Sequence, residues 1–215
     1  ILIAVALFAA LSYALSRGGD SAGALSQEKL RLLASDVIDY GEGLADATAK
    51  LRLRRIMDTE ISFENSIVAG YTNAAYSTGT CKVFDFDGGG KDWETPASDV
   101  NGAVDIGITG GLAIKDLGSN AADLVMVMPG LSSSLCARIN VLLGLHDASS
   151  SPSVIAAVSG NKFTGTYAAV PVTVTSSQID KQKSGCFQAT AAAGSAFTGT
   201  PLANSYIFYQ VLLAR

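Results

Sequence analysis

The sequence predicts an α+β fold: a long N-terminal α-helix, interrupted by glycines, packed on a globular head that carries strands. Three observations predict it. The opening stretch ILIAVALFAALSYAL, residues 1–15, is helix-forming and almost wholly apolar. Beyond RGGDSAG, residues 17–23, apolar residues recur at Leu30, Leu33, Val37, Tyr40, Leu44, Ala47 and Leu51. Those steps of three and four mark one stripe of an amphipathic helix. After Ile61 the helical period fades, and later segments run in β-branched and aromatic residues, as strands do.

The opening strip suits a secretion signal, a membrane anchor, or a surface that buries itself against copies of itself. A signal peptide carries basic residues before its apolar stretch and a small-residue cleavage site after it, and neither is evident here. A bilayer core of about 30 Å takes about 20 apolar residues. Fifteen residues at about 1.5 Å each reach only about 22 Å. The expectation is therefore a chain that begins after processing, or one that lacks a few residues of its true start. Gly18, Gly19 and Gly23 are expected to break the helix. Ser26 is then a suitable N-cap for a second helical part, with Glu28 in the first turn. Arg52, Arg54 and Arg55 suit its C-terminal end. The first part is apolar all round and must be buried in lipid or among other helices, whereas the second needs one supporting surface. The expected organisation is an N-terminal helix over residues 1–56 and a head over 57–215. Within the helix, 1–16 form the apolar segment, 17–23 the flexible break and 25–56 the amphipathic part.

Within the head, CKVFDFDGGGKDWETP (81–96) reads as a short strand or loop ending in a tight glycine turn. Residues 124–128 read as a buried strand, followed by a proline–glycine turn. A helix comes next, capped by one of Ser132 to Ser134, with Leu135, Ile139 and Leu142 or Leu143 on one face and Gly144 at its end. DASSSPS (147–153) reads as a linker. TYAAVPVTVTS (166–176) reads as a strand that Pro171 confines to an edge or a bulge. GCFQATAAAGSAFTGTPLAN (185–204) reads as an exposed loop, and SYIFYQVLLAR (205–215) as a buried strand that ties down the end of the chain.

The chemistry of catalysis is thinly represented. The chain has 215 residues, a net charge of -4 and no dense basic cluster outside KLRLRR (50–55), which argues against nucleic-acid binding. One histidine and three cysteines without a C-x-x-C pair leave too few ligands for zinc or a c-type haem. The cysteines Cys81, Cys136 and Cys186 suggest one disulfide and one leftover thiol. His146 beside Asp147 is the only imidazole a nucleophile could use, and it reads as a surface residue at a helix end. Asp85, Asp87 and Asp92 around the glycine turn miss the oxygen spacing of calcium loops and read as a polar turn. GITGG (107–111) lacks the lysine of a phosphate loop and reads as a turn. Neither a cofactor nor a metal is expected.

A long apolar N-terminal helix, a globular α/β head and a late cysteine near the last strand together resemble type IV pilins and pilin-like proteins of Gram-negative bacteria. The resemblance spans the chain in architecture and is strongest over residues 1–56. It implies a head with an antiparallel β-sheet. It also implies a prepilin held in the inner membrane, handled by pilus assembly machinery, and built with copies of itself into a helical extracellular filament. Ile1, Leu2, Ile3, Val5, Leu7, Phe8, Leu11 and Leu15 would form the assembly surface, and Gly18, Gly19 and Gly23 the break. Cys136 and Cys186 would pair to bound a C-terminal disulfide region. Two features depart from the pattern. Pilins carry a glutamate near the mature N-terminus, yet no acidic residue precedes Asp20, and the break rests on glycine where many bacterial pilins have proline. The expected function is a filament subunit with a role in adhesion or surface attachment, not an enzyme. A membrane-anchored monomeric binding domain and a pseudopilin of a secretion machine are the alternatives.

Overall fold

The structure is a computed structural model that describes residues 2–145, 153–155, 161–189 and 205–215; along 2–25 and 153–155 it describes the backbone alone. Helix α1 (Leu2–Leu53) is followed by a loop-rich stretch with two single-turn 3-10 helices, Asp58–Glu60 and Gly79–Cys81. A one-turn helix α2 (Ser98–Asn101) leads into strands β1 (Gly107–Ile114) and β2 (Asp123–Leu131). Helix α3 (Ser133–Leu142) and strands β3 (Ser153–Ile155), β4 (Val172–Val174), β5 (Ser184–Ala189) and β6 (Tyr206–Leu213) complete the fold.

Among the described residues one sheet takes six strands in the order β3-β5-β6-β2-β1-β4. Its four central strands are antiparallel neighbours, and the fold is mixed α+β. The edges depart from the expected antiparallel sheet: β4 lies parallel to β1, and β3 parallel to β5. Parallel neighbours require a crossover: the chain passes through β2, α3 and β3 between β1 and β4, and through β4 between β3 and β5. Register places Met126 opposite Gln210 and Val127 opposite Tyr209. Met126, Met128, Phe208 and Leu212 therefore join the core under α1, while Val125, Val127, Ile207, Tyr209 and Val211 form a second cluster on the opposite face. Burial on both faces explains why β2 and β6 read as nearly continuous apolar runs.

The amphipathic part of α1 lies on this sheet as the stripe predicts. Val37, Tyr40, Leu44, Ala47 and Leu51 are buried, and Leu30 and Leu33 are partly buried against the same core. Ala34 and Thr48 complete the buried face, with Thr48 donating from its hydroxyl to the Leu44 carbonyl at 2.8 Å.

The expected break at residues 17–23 is not found: the backbone is helical through Gly18, Gly19 and Gly23. Glycine costs a helix only about 1 kcal/mol per position against alanine, so three glycines weaken a long helix without being obliged to end it. Ser26 is accordingly interior to α1 and caps nothing. Three further segments differ from expectation. GITGG is the start of β1 instead of a turn. Pro129 and Gly130 lie inside β2, where the pairing with β6 shifts register, so the proline sits at a bulge. Ser184–Ala189 is the partly buried strand β5, although its small polar residues read as loop. Of the 166–176 segment only Val172–Val174 is strand, at the sheet edge just after Pro171.

Candidate functional site

Ile1, Leu2, Ile3, Val5, Leu7, Phe8, Leu11 and Leu15 belong to a stretch whose side chains lie outside the described residues. What is described is the helical backbone from Leu2 onward. Among the described residues no helix is long and apolar enough to cross a membrane. His146 and Asp147 also lie outside the described residues.

The second predicted feature is present. Cys136 on α3 and Cys186 on β5 form a disulfide with Cα atoms 5.3 Å apart. α3 begins at Ser132, whose hydroxyl accepts from the Leu135 N–H at 3.2 Å. It ends where Gly144 N–H donates to Val141 O and Leu145 N–H to Asn140 O. Between those caps Leu135, Cys136, Ile139 and Asn140 are buried. Asn140 adds a clasp that sequence reasoning missed. Its amide donates to Cys186 O at 2.8 Å, and its carbonyl oxygen accepts from Cys186 N–H at 2.8 Å. The side chain thus satisfies both backbone groups of the cysteine bridged one helical turn away. An asparagine four residues after a cysteine was the only available signal. Cys81 is a free, half-buried thiol 3.5 Å from the Thr78 hydroxyl.

The acidic glycine turn at 85–92 serves the end of α1. Lys50 donates to Gly89 O at 3.2 Å, and Arg54 donates to Asp87 O and Gly88 O. Two members of the basic run thus pair with loop carbonyls. The turn is tight enough that a Cβ on Gly88 would come within 1.9 Å of Lys82 O. Among the described residues no group of three or more His, Cys, Asp or Glu side chains converges in a way that could hold a metal ion. Behind the turn Trp93 is buried against Phe84 and Tyr71, with ring centroids 5.2 and 5.8 Å away. Burial pushes the Tyr71 hydroxyl up to about 12, while it accepts from Ile108 N–H at 3.0 Å.

A groove of about 270 Å³ runs between α1 and the segment before α2. Leu33, Val37, Pro96, Val100 and Met128 give it apolar walls, and Asp36 and Glu94 stand at its rim. Tyr40 also lines it, with the hydroxyl accepting from Glu94 N–H at 3.3 Å and burial raising its pKa. Lys91 sits 4.7 Å from the centre of the Tyr40 ring and pairs with Glu94 at 3.3 Å. Beyond the groove Lys29 bridges to Asp99 at 3.0 Å, which lowers the Asp99 pKa. The volume is near the lower end of the roughly 300–1,000 Å³ of small-molecule pockets and is ample for one inserted side chain.

Comparison of the chain with protein-family models, with curated proteins and with solved structures finds no match.

Proposed function

We propose that the chain is the structural subunit of an extracellular, type IV pilus-like filament, polymerising through the apolar start of α1 and serving adhesion or surface attachment. The observation that carries this reading is the division of one helix into two kinds of surface. From Leu30 onward α1 buries a single stripe on the sheet. Its first residues are apolar on every side in sequence, and a helix of that kind finds no complete cover on one supporting surface. Identical helices from neighbouring copies offer that cover. Burying about ten large apolar side chains at about 2 kcal/mol each yields near 20 kcal/mol gross. Association costs about 4–15 kcal/mol in lost freedom, so outside the membrane the balance favours assembly over exposure of the strip to water, whereas in lipid, which already covers it, this term is absent.

In this reading the disulfide and the Asn140 clasp fix the head that the filament displays. The chain works without catalysis, starts as a precursor in the inner membrane and needs the pilus assembly machinery to leave it. Electron microscopy of material sheared from producing cells tests the reading. Thin uniform fibres containing this chain are expected, and Leu7→Asp in the apolar strip should abolish them. Recovery of the intact chain only from detergent, as single particles, would instead favour the membrane-anchored monomer.

A further inference from the structure

Four carboxylates, Asp36, Asp39, Glu42 and Asp46, follow one another along the exposed side of α1 at steps of three, three and four. No basic residue separates them, and among the described residues none of the four takes part in an ion pair. Asp36 is also at the rim of the apolar groove. The C-terminal end of the same helix has the opposite character. It carries Lys50, Arg52, Arg54 and Arg55, and beside them Leu53 is 86% exposed and Met57 53% exposed. Lys50 and Arg54 donate to loop carbonyls and Arg52 donates to Ile56 O, but the Arg55 side chain has no partner among the described residues. Of the nearby carboxylates, Asp58 pairs with Arg215, Glu60 accepts from Met57 N–H, and Asp85 accepts from Asp87 N–H.

We propose that this basic, apolar end of α1 docks on the groove of a second copy, with Leu53 entering between Leu33, Val37 and Val100 and Arg55 meeting Asp36. The inference rests on the filament reading and names its head-to-head contact. Charge selects the occupant. Phe86 is also out in solvent, but it stands between Asp85 and Asp87, which would face Asp36 with like sign, while Glu94 is already paired with Lys91. The two patches sit on one helix with their centres about 16 residues, or roughly 24 Å, apart. A contact between different patches does not close on itself, so each copy offers a free groove and a free end, and the array extends.

The test is a charge exchange in the full-length chain, read as the amount of chain in sheared filaments relative to the total in cells. Arg55→Glu and Asp36→Arg, each alone, put like charges in contact and should each lower the filament fraction about tenfold or more. The double variant restores an opposite pair and should return the fraction to near the wild-type value. Leu53→Asp, at an exposed position, should also lower the fraction while the Cys136–Cys186 disulfide still forms, as read on a non-reducing gel. Filaments that persist in the single variants overturn the proposal and leave the filament reading intact. So does a double variant that forms the disulfide but stays unassembled. A wild-type chain that makes no filaments overturns both.

Discussion

Gly41 and Gly43 lie two residues apart on α1 and face different neighbours. A Cβ on Gly41 would meet Phe208 Cε1 at 3.0 Å and Gln210 Cβ at 3.2 Å, so this glycine sets how closely the helix approaches β6. A Cβ on Gly43 would meet only the end of the Lys91 side chain, at 3.5 Å. Gly41→Ala should therefore destabilise the head by about 1–3 kcal/mol through overpacking. Gly43→Ala should stabilise it by about 0.5–1 kcal/mol through the lost freedom of the unfolded chain. Urea unfolding of the two variants should move in opposite directions. Asp123 makes a different residue-scale prediction. It is buried at the start of β2, where it accepts from Ile114 N–H and Arg215 N–H, each at 2.9 Å. Burial raises its pKa above the ordinary 3.8, against the pull of those two donors. A carboxyl raised in this way holds its proton more tightly folded than unfolded. Its contribution is complete below the unfolded value and is lost as pH rises through the folded one. The stability of the wild type relative to Asp123→Asn should thus fall as pH climbs from about 3 through that window, and then level off.

At the scale of elements, α3 is tied to β5 twice, by the disulfide and by Asn140. The bridge spans 50 residues of sequence, and closing a loop of that length in the unfolded chain is worth about 4 kcal/mol. Reduction should lower the urea midpoint of the head accordingly, and oxidised and reduced samples compared side by side check it. The element most legible in the sequence was the later part of α1, because a stripe at helical spacing follows from the geometry of the helix alone. β2 and β6 were legible from their apolar, β-branched and aromatic runs. β5 was not: its Ser-Gly-Cys-Phe-Gln-Ala sequence has weak strand propensity, and it becomes a strand because β6 on one side and β3 on the other pair with it. Such pairing is a property of neighbours and overrides local preference. Gly18, Gly19 and Gly23 act in the other direction: a modest propensity cost suggests a break in sequence, yet the helical backbone continues through them.

For the whole molecule, the candidate site divides in the same way. The apolar start and the basic end of α1 were visible as strings of residues. The groove was not, because Leu33, Pro96, Val100 and Met128 meet only when α1, the segment before α2, α2 itself and β2 are stacked. The sequence by itself determined the helix stripe, the caps of α3 and the apolar runs that become the central strands, because each rests on residues within a few positions of one another. Only the tertiary structure decided the sheet order, the parallel edges, the Asn140 clasp and the groove. The partner of Cys136 was expected from a likeness in layout and never from spacing. Contacts between residues far apart in the chain depend on how every element packs at once, and no local pattern carries that information.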